Sequence, residues 1–228
     1  MTTPIGRLSH PSPNFGQRRE GAVPRLIVLH FTAMKSAEAA LDRLCDPAAE
    51  VSAHYLIDDD GTVYALVDEA MRAWHAGAGS WQGCHDVNSA SIGIELDNDG
   101  SGPFADAQMA ALEILLDGIM ARWDIGPDGV IGHQDMAPGR KSDPGPFFPW
   151  RRLAAQGRAI WPDVCTPGDF QRDLQCFGYP DITDPEILLS AFRARFRPEA
   201  SGPLSDEDRA LAAGLAARFG VDRDVQEA

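Results

Sequence analysis

The pattern of apolar and polar positions predicts alternating strands and helices over most of the chain. Strands are predicted at residues 25–31, 51–57, 62–67, 91–96 and 130–133, and helices at 36–44 and 105–123. The run 25–31 is continuously apolar, which is typical of a central strand that is buried on both faces. In 91–96 the apolar positions alternate, so Gly93 and Glu95 share the face opposite Ile92, Ile94 and Leu96. The pattern therefore favours an α/β fold.

The two ends of the chain and one internal segment depart from this alternation. Residues 1–24 are rich in Pro, Gly and Arg and are predicted to form an irregular arm, and 135–149 is predicted to be a loop. Residues 156–167 mix Gly, Pro and polar side chains, as a domain boundary does. Three short amphipathic helices are predicted beyond it, at 170–177, 186–196 and 207–219, with Asp184-Pro185 and Ser205 as helix starts. We expect a domain over residues 1–161 and a small three-helix module over 162–228.

Composition narrows the class of protein. The 228 residues carry a formal net charge of -14, with a pI near 4.7. Clustered Lys and Arg are needed to bind nucleic acid or an anionic membrane surface, so neither partner is expected. The chain shows neither an apolar run of membrane-spanning length nor a secretory signal pattern at Met1. A cytoplasmic location is therefore expected, with the periplasm as the alternative.

The four cysteines are too widely spaced for paired metal-binding knuckles. Free thiols are the simpler interpretation, and a Cys45–Cys84 bridge becomes plausible only for an exported protein.

Two histidines and one aspartate are candidates for a metal site. His30 and His133 each end a predicted apolar strand, and sites in α/β proteins are usually built where strands end at one edge of a sheet. Asp143 in the following loop would complete three protein ligands, which leaves a fourth zinc position open, as a catalytic site requires. Structural roles are the alternative, with the histidines in the core and Asp143 in a turn.

Glu95 and Lys141 are candidates for acid–base and charge-stabilising roles. A carboxylate near a metal-activated water can take its proton and pass it to a leaving nitrogen. Lys141 lies two residues before Asp143, and in an extended segment both side chains point to the same side. There the lysine can stabilise an oxyanion. The alternatives are a solvent-facing strand residue and a surface cation.

The sequence leaves the roles of Trp74, His75 and His54 open between substrate binding and the core. Trp74 and His75, in Ala73-Trp-His-Ala-Gly77, can line a groove for carbohydrate or peptide, although Trp74 can equally belong to the core. His54 is open between a pocket wall and the core.

Six motifs in a fixed order resemble one family. They are Leu29-His-Phe-Thr-Ala33, Val51-Ser-Ala-His-Tyr-Leu-Ile57, Asp60-Gly61, Ala73-Trp-His-Ala-Gly77, Ile92-Gly-Ile-Glu-Leu96 with Asn98, and Ile131-Gly-His133 with Gly139-Arg-Lys-Ser-Asp-Pro-Gly145. Together they resemble the zinc-dependent N-acetylmuramoyl-L-alanine amidases of the AmpD/AmiD type, the amidase-2 family, over roughly residues 20–160. The C-terminal residues resemble the three-helix peptidoglycan-binding module that follows such domains.

The resemblance implies a central mixed β-sheet flanked by helices and a wall-hydrolysing activity. The bond cleaved would join the lactyl group of N-acetylmuramic acid to L-alanine, in peptidoglycan or in muropeptides. The residues that match the family's zinc ligands are His30, His133 and Asp143. Glu95 matches the catalytic acid/base and Lys141 the residue that stabilises the tetrahedral intermediate. Trp74 and His75 match positions near the substrate groove, and His54 and Asn98 are further candidates for substrate binding.

The chain departs from the family pattern at two positions. Phe31 stands where many members have Tyr, and Ala53 stands where phage and animal relatives place a catalytic Tyr, so the proton transfers should fall on Glu95. Two rival functions stay open: a peptidoglycan-recognition protein without catalysis, and a zinc peptidase that cleaves within the stem peptide. Sequence alone leaves open the choice between anhydro-muropeptides and polymeric wall, and also the oligomeric state.

Overall fold

Strands and helices alternate along most of the residues that the computed structural model describes, 7–221. The strands are β1 (Arg7–Ser9), β2 (Phe15–Gln17), β3 (Leu26–Phe31), β4 (Tyr55–Ile57), β5 (Val63–Ala65), β6 (Met71–Ala73), β7 (Ser91–Leu96) and β8 (Val130–Gly132). The helices are α1 (Ala37–Cys45), α2 (Val87–Ala90), α3 (Asp106–Trp123), α4 (His133–Met136), α5 (Trp150–Ala155), α6 (Phe170–Phe177), α7 (Pro185–Phe196) and α8 (Asp206–Phe219). Single 3-10 turns occupy Arg19–Gly21, Pro47–Ala49 and Pro127–Gly129.

A six-stranded mixed sheet forms the centre of the fold, in the order β1-β5-β4-β7-β3-β8. Strand β3 runs parallel to β7 on one side and to β8 on the other. Strand β4 is parallel to β7 and antiparallel to β5, with Asp58 in the turn between β4 and β5. The predicted α/β fold with a mixed sheet is confirmed, and the central position of β3 explains its continuous apolar run.

The two faces of the sheet are covered by different helices. Ile27 and Leu29 of β3 belong to an apolar cluster with the buried side of α3. Leu26 and Val28 point to the other face and belong to a cluster with the phenylalanines of α6 and α7. Because residues alternate between the faces of a strand, β3 anchors both layers. Among helices of the described residues, none is long and apolar enough to cross a membrane.

The C-terminal helices begin at the capping residues that the sequence predicts. The Asp184 side chain accepts a hydrogen bond from the Glu186 amide, and Ser205 and Asp208 form a reciprocal capping box. These helices share an apolar cluster with β3 and β8, so they cover the sheet directly. The division of the chain after residue 161 remains a prediction.

The N-terminal arm is more regular than expected. Strand β1 pairs in parallel with β5 at the edge of the sheet, and β2 pairs antiparallel with β6 in a separate two-stranded sheet. The prediction of an irregular arm is therefore wrong over these two segments. Pairing of three-residue strands uses backbone groups, so the Pro- and Gly-rich composition gives no periodic signal for it. Residues 1–6 lie outside the described range.

The segment after β8 also differs from the prediction. The strand ends at Gly132, and His133 is the first residue of the short helix α4 instead of the last residue of a strand. The Asp135 carboxylate accepts a hydrogen bond from the Gly132 amide and so stabilises this early turn. Helix α5 lies just beyond the predicted loop. Helices of four and six residues are too short to show a helical period.

Candidate active site

Three parallel strands bring the principal candidate residues to one edge of the sheet. His30 on β3 lies in register beside Glu95 on β7. On the other side of β3, Leu29 is paired with Gly132, so His133 follows immediately at the same edge. Parallel strands end together, and residues more than a hundred positions apart therefore become neighbours.

Asp143 reaches this edge from the loop after α4. The Gln134 amide donates a hydrogen bond to the Asp143 carbonyl, which ties the loop to the helix. A Cβ atom at Gly132 would lie 2.8 Å from Pro144 Cδ, so glycine is required for this close approach. The loop thus places the carboxylate against the two histidines.

Three ligand atoms converge at a point that is almost completely buried. The Nδ1 atoms of His30 and His133 lie 2.9 Å apart, and Asp143 Oδ2 lies 2.9 and 3.0 Å from them respectively. The three residues are 1%, 2% and 7% exposed. Together they form a group that could hold a metal ion.

The protonation of the group suits a cation. Burial, together with the nearby His133, lowers the pKa of His30 to about 4, so the imidazole is neutral at pH 7. Burial acts to raise the pKa of Asp143, but its contacts with His133 and His30 prevail and hold this pKa well below its ordinary value. Neutral imidazoles and an ionised carboxylate are the forms that bind metals.

The outer ring nitrogens of both histidines have acceptors. His133 Nε2 lies 2.8 Å from the Ala76 carbonyl oxygen and 3.2 Å from Arg140 Nη2. In the neutral tautomer that donates to this carbonyl, the Nδ1 lone pair is free. His30 Nε2 lies 3.0 Å from His75 Nδ1, and His75 Nε2 lies 3.2 Å from Ser91 Oγ. Ser91 in turn donates to the Val87 carbonyl. These partners fix both Nδ1 atoms toward the common point.

Glu95 lies next to this group in a low-polarity environment. Burial raises its pKa well above the ordinary value, and the negative charge of Asp143 raises it further, whereas Lys141 acts in the opposite direction. The Glu95 Oε2 atom is buried without a hydrogen-bond partner among the described residues. A carboxyl group whose pKa is raised holds a proton more firmly, which suits a group that must take a proton and then deliver it.

A cleft of about 390 Å³ opens above the group. Its lining includes the three convergent residues, together with Trp74, His75, Glu95 and Lys141. Lys141 is exposed at its rim, which suits a cation that meets charge on a bound molecule. A larger cavity of about 750 Å³ lies alongside, between the 139–142 segment and α7. The two spaces share Arg140, Lys141 and Ser142.

Two of the expected groove residues do not face this cleft. His54 is completely buried: its Nδ1 accepts from the Gly93 amide, and its Nε2 lies 3.1 Å from the Met71 carbonyl oxygen. The prediction that His54 contacts the substrate directly is therefore wrong, and this histidine has a structural role. The Asn98 side chain holds its own loop, where it accepts from the Gly100 amide and donates to the Pro103 carbonyl. It lines a separate depression beside the cleft.

The face of β7 beside Gly93 is covered by the His75 ring. A Cβ atom there would lie 2.4 Å from the His75 ring, so the missing side chain admits an imidazole and not a ligand. The 74–77 segment that carries His75 is held by Asn88, whose side-chain oxygen accepts from the His75 and Ala76 amides. The lack of a side chain at Gly93 thus makes room for the His75 ring.

Sequence reasoning assigned no role to Arg140 or Asp135. Arg140 donates to the Ala76 carbonyl, which also faces His133 Nε2. Asp135 holds the turn that contains His133. The only signal was that Arg140 lies inside a motif and that Asp135 lies between two motif segments, because their partners are distant in sequence. The four cysteines are free, which agrees with the simpler interpretation.

Known proteins share both sequence and fold with this chain. The sequence profile of the N-acetylmuramoyl-L-alanine amidase family (Amidase_2) matches residues 20–146. The N-acetylmuramoyl-L-alanine amidase AmiD of Escherichia coli K12 is 36% identical over 245 aligned positions, which cover 90% of this chain and 88% of AmiD. The 1,6-anhydro-N-acetylmuramyl-L-alanine amidase AmpD of Enterobacter cloacae is 36% identical over 162 positions, covering 64% of this chain and 87% of AmpD.

A solved structure extends the similarity to the whole fold. Escherichia coli AmiD in complex with the substrate anhydro-N-acetylmuramic acid-L-Ala-D-gamma-Glu-L-Lys superimposes with a TM-score of 0.80 at 35% identity. The match covers 90% of this chain and 94% of the AmiD chain. The superimposed region therefore extends beyond residues 20–146, the part that the family profile matches.

Proposed function

The chain belongs to the N-acetylmuramoyl-L-alanine amidase family, and from this premise we propose that its cleft cleaves the lactyl–L-alanine amide of muropeptides with a zinc ion held by His30, His133 and Asp143. The amidase activity follows from membership of this family. The metal, the roles of the individual residues and the preferred form of the substrate are the parts proposed for this chain.

The donor set fits zinc. Two imidazole nitrogens and one carboxylate oxygen are ligands that zinc accepts, and three protein ligands are the number typical of its catalytic sites. The three ligand atoms lie within 3.0 Å of one another, close enough to bind a single ion together. A bound zinc would supply Lewis-acid polarisation of the scissile carbonyl and activation of the attacking water.

The side chains beside the ligands supply the proton and charge chemistry. Glu95, with its raised pKa, takes the proton of the attacking water and delivers it to the departing L-alanine nitrogen. Lys141 at the rim stabilises the negative charge that develops on the carbonyl oxygen. Trp74 and His75 form the wall of the cleft, where we place the N-acetylmuramic acid or the first residues of the stem peptide.

The convergence of the three ligand atoms is the observation that carries the proposal. Its test is zinc analysis of the purified protein, followed by a muropeptide digest read by mass spectrometry. We expect one zinc per chain and release of the intact stem peptide. Glu95→Gln is the matched control, because this variant should retain the zinc ion but no longer release the stem peptide.

The same digest distinguishes the rival functions. Fragments cut within the stem peptide would identify a peptidase, and binding of intact muropeptide without cleavage would identify a recognition protein. Either result contradicts the proposal. Parallel digests of anhydro-muropeptides and of intact sacculi decide which form is preferred.

The cytoplasmic location expected from the sequence stays a prediction. Fractionation of cells that express a tagged chain tests it, and recovery in the periplasmic fraction would contradict it.

A further inference from the structure

A completely buried charged cluster lies behind the metal ligands. It comprises Asp135 of α4, Arg195 of α7 and Tyr179 of the segment between α6 and α7, and each is at most 1% exposed. Arg195 Nη1 donates to Asp135 Oδ2 at 2.5 Å, and the Tyr179 hydroxyl donates to Asp135 Oδ1 at 2.7 Å. Both oxygens of the carboxylate are thereby engaged by the C-terminal segment.

The cluster also holds the backbone that presents a metal ligand. Asp135 Oδ2 accepts from the Gly132 amide at 2.8 Å, and His133 is the next residue. Arg195 Nη2 donates to the Val130 carbonyl at 3.1 Å, at the start of the same strand. The Arg195 guanidinium lies 4.2 Å from the centre of the Trp150 ring, on α5. Arg195 therefore connects β8, α4 and α5.

We propose that Arg195 and Tyr179 are positioning residues for the metal ligand His133, and that the C-terminal helices are thus part of the framework of the metal site. They hold Asp135, Asp135 holds the turn at Gly132, and this turn determines where His133 Nδ1 lies. The inference rests on the proposed zinc site. It assigns to the C-terminal helices a task besides any contact with the cell wall.

A second buried ion pair on the same helix provides the matched control. Arg193 donates to both oxygens of Asp208, and also to the carbonyls of Gly202 and Pro203. All these partners belong to the C-terminal segment. Arg193 and Arg195 therefore share a helix, a residue type and a buried carboxylate partner. Of the two, only Arg195 contacts helix α4, which carries His133, and strand β8, which precedes it.

The experiment compares zinc affinity in full-length variants. Zinc dissociation constants of wild type, Arg195→Met, Tyr179→Phe and Arg193→Met are measured by competition with a chromophoric chelator, together with Tm, kcat and KM. Arg195→Met should weaken zinc binding about 10-fold or more, as loss of a group that orients a ligand does. Tyr179→Phe should weaken it in the same direction by less. In both, kcat should fall while KM changes little.

Arg193→Met should lower Tm and leave the zinc dissociation constant within about twofold of wild type, because losses of about ten-fold or more follow from removing groups that orient a ligand. Equal losses of zinc affinity in Arg193→Met and Arg195→Met would overturn the inference, because they would follow from general destabilisation. Unchanged affinity in both Arg195→Met and Tyr179→Phe would also overturn it. If Arg195→Met does not fold, the isosteric Tyr179→Phe decides against the same control. Absence of zinc binding in the wild type would instead contradict the proposed function.

Discussion

Two buried polar clusters lie on either side of the turn from β8 into α4, and they differ in how their charge is balanced. The open cluster, His30, His133 and Asp143, directs three acceptor atoms to one point beneath the cleft. The closed cluster, Asp135, Arg195 and Tyr179, joins a carboxylate to a guanidinium and a hydroxyl. His133 and Asp135 are separated by one residue.

The difference shows how one short segment can serve both ligand binding and stability. A buried carboxylate is costly unless it is paired. Asp135 has its positive partner within the protein, so it is suited to hold structure. Asp143 contacts two imidazoles and forms no ion pair with an Arg or Lys among the described residues, so a cation from outside can balance its charge. A buried carboxylate with a positive partner inside the protein therefore indicates a structural ion pair, and one that needs a positive partner from outside indicates a binding site.

The largest expected effect comes from removing the charge of the open cluster. Asp143→Asn should abolish stoichiometric zinc binding and amidase activity together, because the neutral amide no longer offsets the charge of the ion. Zinc content by elemental analysis and the muropeptide digest measure the two effects. A fully metallated, active Asp143→Asn protein would remove Asp143 from the ligands, and a His30→Ala variant provides the parallel test.

Substitution of Glu95 should abolish the proton transfers of the reaction while zinc binding in the same cleft is retained. Glu95→Gln keeps the shape of the side chain but can neither take nor deliver the proton. We expect kcat to fall by roughly 10²- to 10⁴-fold with zinc retained. Single-turnover assays with a defined muropeptide measure it. Turnover equal to wild type would exclude Glu95 from the mechanism.

Lys141 should contribute less than Glu95, because it stabilises charge without transferring the proton. Lys141→Met should lower kcat by about 10²- to 10³-fold and leave zinc content unchanged. Lys141→Arg serves as the control that retains the positive charge, so it should recover part of the loss. If Lys141→Met changes only KM, the lysine binds substrate and does not stabilise the transition state.

The smallest effect concerns the pH dependence of stability behind the open cluster. Burial lowers the pKa of His54 to about 4, so the unfolded chain takes up a proton first as the pH falls below about 6.5. The free energy of unfolding should therefore decrease between pH 6.5 and 4, by up to about 3 kcal/mol for this histidine.

Urea unfolding of chelator-treated protein at pH 7 and pH 4.5 measures this dependence. In His54→Gln the decrease should be smaller than in wild type. The same decrease in both proteins would show that the loss of stability arises elsewhere, for example at His30, whose pKa is also about 4.

The parts of the molecule that the sequence predicted are those with a local signal. The apolar run of β3, the alternation in β7 and the capping residue Ser205 each indicate an element within a few residues, and the structure contains all three. The motifs likewise identified the residues that meet in the open cluster. The closed cluster was missed because Asp135 lies in a predicted loop and its partner Arg195 is 60 positions away.

By itself, the sequence determined the family, the α/β alternation and the set of chemically capable side chains, because residue type and short-range periodicity are properties of the chain. Only the tertiary structure decided which of these side chains meet. Parallel pairing of β3, β7 and β8 brings His30, Glu95 and His133 to one edge, and the C-terminal helices supply Arg195 to Asp135. The same packing buries His54 away from the cleft and fills the space at Gly93 with His75. Such contacts depend on strand register and on packing between distant segments, which no local pattern specifies.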